Sequence, residues 1–300
     1  MGTHLPLPGR GQTWDRWRAL AEIAADDLSR VRLVEGHEDA IAILAELGRR
    51  ELVRRDMGVW AAETGDDPLI AARTSGGWRL SGTKRWCSGA HSLAAALVTA
   101  RADDGPRLFF VDLAEAGISV VEDTWSAVGM SDSDSYDVAF KDVRLAADRA
   151  VGGPGDYTDR PGFWHGGMGV AACWYGGAVG MARALTSVCR RKPDPHRLAH
   201  HGAVSAILRG TATVLEAAAA TIDATPADLL GARQLAMEVR YLVERDCTEV
   251  LDRVGRATGA DPLCHDAGHA RRVADLTVYL RQSHAEADLE RLGRVLIEPQ

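Results

Sequence analysis

Lysine is nearly missing from this 300-residue sequence: only Lys84, Lys141 and Lys192 stand among its 35 basic residues, against 42 acidic ones. A net charge of −7 with no basic run argues against a binder of nucleic-acid backbone. The arginine and alanine bias reads as genomic base composition rather than function. Cysteine is sparse and scattered (Cys87, Cys173, Cys189, Cys247, Cys264), without a CxxC pair. That speaks against a disulfide framework or a cysteine-rich zinc module, and for a reducing compartment. Met1 to Gln12 lacks a charged stretch followed by an apolar core, so no secretory signal is read there. The charge-free stretch Gly166 to Ala182 is rich in glycine and poor in large aliphatics, too weakly hydrophobic for a membrane span. A buried helix with close-packing glycines is expected instead. No G-x-S-x-G elbow and no Walker-type phosphate loop occurs. These absences together predict a cytoplasmic protein with no membrane and no nucleic-acid partner.

What is present is ordinary globular material, 46% hydrophobic and 26% charged, in a chain long enough for two domains. Apolar residues at 14, 17, 21, 24, 28 and 31 mark one helical face, and a second helix is expected over Glu38 to Arg55. After Asp56 short apolar runs alternate with Gly, Asp and Pro turns. Gly58–Ala62, Trp78–Ser81, Leu108–Asp112, Ile118–Glu122 and Tyr136–Val143 read as strands of an antiparallel domain. No helix long enough for a parallel crossover fits between them, which excludes a doubly wound sheet. Past Gly152-Gly153-Pro154-Gly155 the helical period returns. Val204, Leu208, Thr211, Leu215, Ala218 and Ile222 form one stripe. Thr225-Pro226-Ala227-Asp228 reads as a cap opening a helix that faces inward at Ala232, Ala236, Val239, Val243, Cys247, Val250 and Val254. With helices over 161–190 and 266–294 this makes a four-helix bundle. The predicted organisation is α+β: a short N-terminal helical section (1–56), a central antiparallel, barrel-like β-domain (57–150) and a C-terminal bundle (151–300).

Several motifs have a bland reading that outweighs the chemical one. Gly167 to Ala172 fits G-x-G-x-x-A, but the dinucleotide turn needs a strand before it and Arg160 to His165 is too short and broken. The glycines serve helix packing better. His196, His200 and His201 cluster, and His265 and His269 share an i, i+4 spacing, yet neither group has further ligands at a convincing spacing, so no metal is expected. Asp132-Ser133-Asp134 opens like a calcium loop but has Asp137 where glycine belongs and Val143 where the acid belongs. Cys87 and His91 have the spacing of a nucleophile and base, though a buried packing cysteine is the commoner outcome. Ser81 to Ala90 differs in kind: a turn, an extended aromatic stretch and small hydroxyl residues would set Trp86 and Ser88 beside a planar ligand.

Here the chain resembles the acyl-CoA dehydrogenase superfamily, whose members have an α-domain, a β-barrel-like middle domain and a C-terminal four-helix bundle. Gly82-Thr83-Lys84-Arg85-Trp86-Cys87-Ser88-Gly89-Ala90 is similar to the segment that lines the family's flavin ring. Trp125 to Met130, followed by Val138 to Leu145, is similar to the motifs closing its middle domain. Gly177 to Leu185 resembles the opening helix of its bundle, and Asp275 with Asp288 to Gly293 its last helices. The resemblance implies FAD lying against Trp86, Cys87 and Ser88, with Trp60 and Ala62 from the preceding strand. It implies that Arg191 reaches the pyrophosphate of a partner subunit, hence a homodimer or tetramer.

The departures bear on chemistry. The family's glutamate base, which takes a proton while hydride leaves for the flavin, maps near Val170 and Ser283, and neither can serve. Ala171 replaces the arginine after the first position, Glu63 to Asp67 keeps only part of a glycine-rich loop, and Gly255 to Gly259 only part of a later flavin segment. Glu286, a turn away, is a candidate substitute. Monooxygenases on this fold use instead a middle-domain serine and a C-terminal histidine, near which Ser88 and His284 stand. Three functions are therefore expected in competition. One is a flavin oxidoreductase acting on the CH–CH bond of an acyl thioester or related substrate. The others are a reduced-flavin monooxygenase using Ser88 and His284, and a non-catalytic scaffold or partner of a complete paralogous subunit.

Overall fold

The computed structural model describes residues 4–63 and 68–297. Its elements begin with α1 (Thr13–Asp26) and α2 (Leu28–Glu46). The expected helix across Trp14 to Val31 is thus two helices, because Asp27 is extended and serves both. Its N–H bonds to Ile23 O, closing α1, while its carboxylate accepts from Arg30 N at 2.8 Å in the first turn of α2. The helix expected over 38–55 stops at Glu46 because Gly48 takes φ +70° and Arg49 N–H returns to Leu44 O at 2.7 Å. A 3-10 turn, Arg50–Leu52, follows. The N-terminus of α1 is capped from a distance: Gln12 makes no cap, and Asp223 accepts from Gly11 N, Thr13 N and Thr13 Oγ1 at 2.9, 3.0 and 2.6 Å.

Eight strands come next: β1 (Met57–Trp60), β2 (Ile70–Thr74), β3 (Gly77–Cys87), β4 (Ala95–Ala102), β5 (Gly105–Asp112), β6 (Ile118–Val121), β7 (Tyr136–Ala146) and β8 (Ala150–Val151). They form one sheet in the order β6-β7-β3-β2-β4-β5-β8, with β1 also beside β4. The sheet is open rather than a closed barrel, and it is mixed rather than antiparallel throughout. β1 and β2 both run parallel to β4. The β2–β3 hairpin supplies the crossover between β1 and β4 that a helix usually provides, so the absence of a helix there did not forbid parallel pairing.

β2 and β4 were not anticipated, and β4 matters most. Its sequence, AALVTARA, is poor in β-formers, yet its first six residues are all buried. Ala96, Val98 and Ala100 join one core with Trp60, Trp78, Phe109, Val111 and Phe140. The alternating Ala95 and Leu97 join another with Met57, Leu108 and Phe110, covered by Ala40, Ile43 and Leu44 of α2.

The remaining chain is helical: α3 (Pro161–Arg191), α4 (Pro195–Ala224), α5 (Leu229–Thr258), the short α6 (Asp261–His265), α7 (Ala267–Leu280) and α8 (Glu286–Ile297). All seven residues expected to face inward on α5 are buried, whereas Leu208 of the α4 stripe is only half-buried. Asp228, not Thr225, caps α5, accepting from Gly231 N at 2.9 Å; Thr225 instead closes α4. The helix expected over 266–294 breaks between α7 and α8, where Ala285 takes φ +47°. The glycines of α3 pack as expected. A Cβ on Gly176 would lie 2.3 Å from Ala21 O, and one on Gly180 2.4 Å from Ala25 O, so α1 runs against the α3 backbone. By length and composition alone α4, with mean hydropathy 1.2 over its most apolar stretch, is long and apolar enough to cross a bilayer.

Compact packing divides the chain into two units. One holds the described residues of Met1–Val31, Ala127–Met130 and Trp164–Gln300; the other holds those of Arg32–Ser126 and Ser131–Phe163.

Candidate functional site

The candidate site grows out of an irregularity in β3. Lys84 pairs with Val138 and Cys87 with Tyr136, so Arg85 and Trp86 together oppose Asp137 alone, which is a bulge. The extra residue turns Trp86 outward at φ +56°, and it stays 56% exposed. A bulky aromatic in left-handed backbone costs free energy and is held there by its surroundings. Asp137 does part of this, accepting from Trp86 N at 3.3 Å and pairing with Arg85 at 3.8 Å.

Lys84 and Cys87, at the two ends of the bulge, point inward. Lys84 is buried and donates to Thr99 O at 2.9 Å and Thr99 Oγ1 at 2.6 Å; burial pulls its ammonium down to about 8. Cys87 is fully buried, its Sγ donating to Lys84 O at 3.2 Å, and burial pushes the thiol far above its usual range. Full burial and the bond to Lys84 O fit a packing cysteine rather than a reactive thiol. His91, its conceivable base, is held elsewhere. Its Nδ1 lies 2.7 Å from Asp134 Oδ1 and its Nε2 3.4 Å from Glu122 Oε1, and these two bonds raise its pKa.

Ser88 is buried to within 8% of its surface. Its carbonyl accepts from Trp60 Nε1 at 3.0 Å, and its hydroxyl lies 2.8 Å from that of Ser135, which lies 2.8 Å from that of Ser133. The following residues hang from the same loop: Gly89 N donates to Ser133 O at 2.9 Å, Ala90 N to Asp134 O at 3.0 Å and His91 N to Asp134 Oδ2 at 2.8 Å. Gly89 is required twice over. Its φ is +75°, and a Cβ there would meet Leu93 Cγ at 2.6 Å. Residues 131–135, dismissed above as a failed calcium loop, are thus a clamp on residues 88–91. Alternating Ser and Asp was the available signal, and its partner could not be named without the sheet register.

Trp60, Trp86, Cys87 and Ser88 therefore do lie together, Trp60 almost fully buried beneath Ser88 and Ala62 half-buried just beyond β1. Arg191 and His284 belong to the helical unit. Arg191 is exposed at the last residue of α3. His284 is exposed before α8, its Nδ1 3.2 Å from Asp288 Oδ1 and its N–H on Asp288 Oδ2 at 3.3 Å. Val170 is half-buried, Ala171 buried, Ser283 half-buried and Glu286 exposed. Of the glycine-rich segment at 63–67, Thr64 to Asp67 lie outside the described residues.

The histidine spacing at 265 and 269 does not survive as a helical pair. α6 ends at His265, which bonds Asp261 at 3.1 Å, and Asp266 caps a separate α7. Gly167 to Ala172 lies inside α3, past its first turn, so no dinucleotide turn forms there. The resemblance at Gly129-Met130 and at Asp275 proves to be one contact: Met130 N donates to the buried Asp275 Oδ1 at 2.5 Å, and Gly129 leaves no room for a Cβ against Ala274 O, 2.1 Å away.

Comparison with known proteins bears on the fold that carries these residues. Residues 67–143 match the model of the acyl-CoA dehydrogenase middle domain. That match covers about a quarter of the chain, and likeness of fold extends over nearly all of it. The dibenzothiophene monooxygenase TdsC from Paenibacillus sp. A11-2, solved with FMN and indole, superimposes with TM-score 0.85 at 20% identity, over 95% of this chain and 83% of its own. The methanesulfinate monooxygenase MsuC from Pseudomonas fluorescens gives TM-score 0.81 at 19% identity, over 95% and 83%. A nitrososynthase from Micromonospora carbonacea var. africana gives 0.82 at 21%, over 96% and 83%. No curated protein matches the sequence. The acyl-CoA dehydrogenase-type middle domain therefore includes β3, the bulge and the 131–135 clamp.

Proposed function

We propose that this chain is a flavin-dependent enzyme and that it works as a reduced-flavin monooxygenase. The observation that carries the reading is the bulge, which holds Trp86 exposed two residues before the buried Ser88. Trp86 is the largest exposed side chain among the described hydrophobic residues, held open in a costly conformation. An aromatic plane kept facing solvent at such cost fits a planar ligand. Beside it Ser88 offers a hydroxyl that has used one neighbour and retains capacity for another. A flavin fits this donor set, and bound there it would supply two-electron redox chemistry and, when reduced, reaction with dioxygen.

The chain's own residues then have distinct duties. Trp86 would cover the ring and Ser88 would hold its edge, while Trp60 fixes the Ser88 backbone through its Nε1. His284 would be the base for the substrate proton. Asp288, 3.2 Å from His284 Nδ1, orients the ring and leaves Nε2 to work. By the resemblance, Val170 and Ser283 map close to the family's two carboxylate positions, which supports oxygenation over acyl-thioester oxidation. TdsC was solved with FMN, so FMN is the first flavin to test and FAD the second. Arg191, exposed at the end of α3, suits a phosphate of flavin in a partner copy, which makes a homodimer or tetramer part of the reading. Four of the five cysteines are buried and all are free, in keeping with a cytoplasmic site of action. The matched middle domain keeps acyl-thioester oxidation as the second reading.

Anaerobic titration with FMN and FAD, oxidised and reduced, decides among the three functions. Preferential uptake of reduced flavin, followed by oxygen consumption with a phenol, an amine or a sulfur heterocycle, is the expected result. Ser88→Ala should weaken that uptake roughly tenfold, and His284→Ala should abolish turnover while leaving uptake intact. Bleaching of bound oxidised flavin by an acyl-CoA would reassign the chain as a dehydrogenase. Failure to bind either flavin in either state would leave the scaffold reading.

A further inference from the structure

The Ser88 hydroxyl is one end of a chain of three. Ser135 Oγ sits 2.8 Å from Ser88 Oγ and 2.8 Å from Ser133 Oγ, with the Ser133 carbonyl a further acceptor at 3.4 Å. Ser133 and Ser135 are buried, 1% and 5% exposed, so neither hydroxyl relies on bulk water. Each hydroxyl owns one proton and can accept as well as donate. The bond between Ser88 and Ser135 can therefore run in either direction. With protons pointing outward, Ser133 donates to Ser135, Ser135 to Ser88, and the Ser88 proton is left for a ligand. With protons pointing inward, Ser88 donates to Ser135, Ser135 to Ser133 or its carbonyl, and Ser88 presents a lone pair.

Flavin is a ligand that needs both. Its oxidised ring presents nitrogen acceptors that become N–H donors on two-electron reduction. We infer that Ser135, backed by Ser133, is a positioning residue that lets Ser88 reverse between donor and acceptor, so that one site holds oxidised and reduced flavin without an unpartnered proton. This rests on the flavin reading above and adds to it the redox state that Ser135 serves. The two states need Ser135 unequally. When Ser88 donates to oxidised flavin, loss of Ser135 costs it only an accepted bond. When Ser88 accepts from reduced flavin, loss of Ser135 strands the Ser88 proton in a buried site, and a stranded donor is the costlier defect.

The test is Ser135→Ala, with Ser135→Thr as the conservative control, read by flavin binding and by the potential of bound flavin. Ser135→Ala should raise the Kd for reduced flavin roughly tenfold more than the Kd for oxidised flavin. The matching change is a fall of about 30 mV in the two-electron potential of the bound flavin. Ser135→Thr, which keeps the hydroxyl, should restore both. Equal weakening of the two redox states, or an unchanged potential, would overturn the inference, because a role in packing alone moves both constants together. Should Ser135→Ala fail to fold by circular dichroism, Ser135→Cys, a weaker donor and acceptor of similar size, should show the same imbalance in smaller measure; an unshifted ratio there also overturns it. Titration of the unaltered protein comes first. If it binds neither redox state, the flavin reading fails and this inference falls with it, whereas binding with an unchanged ratio in the variants overturns the inference alone.

Discussion

The contact between α1 and α3 and the clamp on residues 88–91 solve the same problem, holding two segments together, by opposite means. In the helical unit Gly176 and Gly180, one turn apart, remove side chains so that α1 carbonyls lie against the α3 backbone. In the sheet unit Ser133, Asp134 and Ser135 add polar groups, each bonded to a named atom of 88–91. The first contact is dense and chemically inert. The second leaves a hydroxyl and an aromatic ring available. Rigid packing built from absent side chains gives a scaffold, and positioning built from hydrogen bonds gives a site, because only the latter aims polar atoms.

The comparison breaks most sharply at the helix contact. Gly176→Val places its Cβ at 2.3 Å from Ala21 O and 2.7 Å from Ala24 Cβ, where backbone, not a flexible chain end, must move. The expected loss is about 3 kcal/mol, at the upper end of overpacking effects, measured by urea unfolding. A change under about 1 kcal/mol would mean that α1 is free to shift, and that the glycines are not what sets its distance from α3.

These two regions were unequally legible. A pair of glycines four apart in an apolar stretch announces a close helix approach, because the spacing and the absence of side chains are both local properties. The clamp is made by residues some 45 positions apart in sequence, joined only through the β3–β7 register and its bulge. Composition gave no warning that β4 would be a strand, since an alanine-rich run reads as helix until buried on both faces of a sheet. Trp86 and Ser88 were visible through the resemblance, whereas Ser133 and Ser135 were visible only as a calcium loop that failed. Two helix ends decided by an aspartate side chain, at Asp27 and Asp228, were misread, since either of two neighbouring polar residues can cap.

A second expected effect lies in the buried charges of the sheet unit. Glu35, on α2, is 3% exposed and paired with Arg32; burial, helped by Asp39, raises its carboxyl from 4.5 to about 8 against the pull of Arg32. Between those values the folded chain holds a proton that the unfolded chain has released, so stability falls as pH rises. Lys84 acts in the opposite sense. Its pKa drops from 10.5 to about 8, so above pH 8 the unfolded chain holds the extra proton and stability rises. Stability should therefore pass through a minimum near pH 8. Glu35→Gln should remove the falling limb, gaining about 2 kcal/mol at the minimum, and Lys84→Met should flatten the rise above it. Urea midpoints across the pH range check both, and a minimum unmoved by Glu35→Gln would place the titrating group elsewhere.

The smallest expected effect on stability sharpens the contrast most, because it separates site from scaffold within a few residues. Trp60 is 2% exposed and donates its Nε1 to Ser88 O, so it belongs to the core as well as to the site. Trp86, two residues before Ser88, is 56% exposed and sits at φ +56°. Little apolar surface is lost when it is truncated, and alanine is no worse placed in left-handed backbone. Trp86→Ala should change the unfolding free energy by no more than about 0.5 kcal/mol. The same variant should lose flavin affinity roughly tenfold, through the loss of an aromatic contact. Thermal unfolding and flavin titration on one preparation read the two effects side by side. A stability loss comparable to that of a core tryptophan would show that Trp86 is held out by packing it contributes to, and the argument that its exposure awaits a ligand would fail. A silent result in both assays would leave the strained bulge without a function and move the flavin contact away from β3.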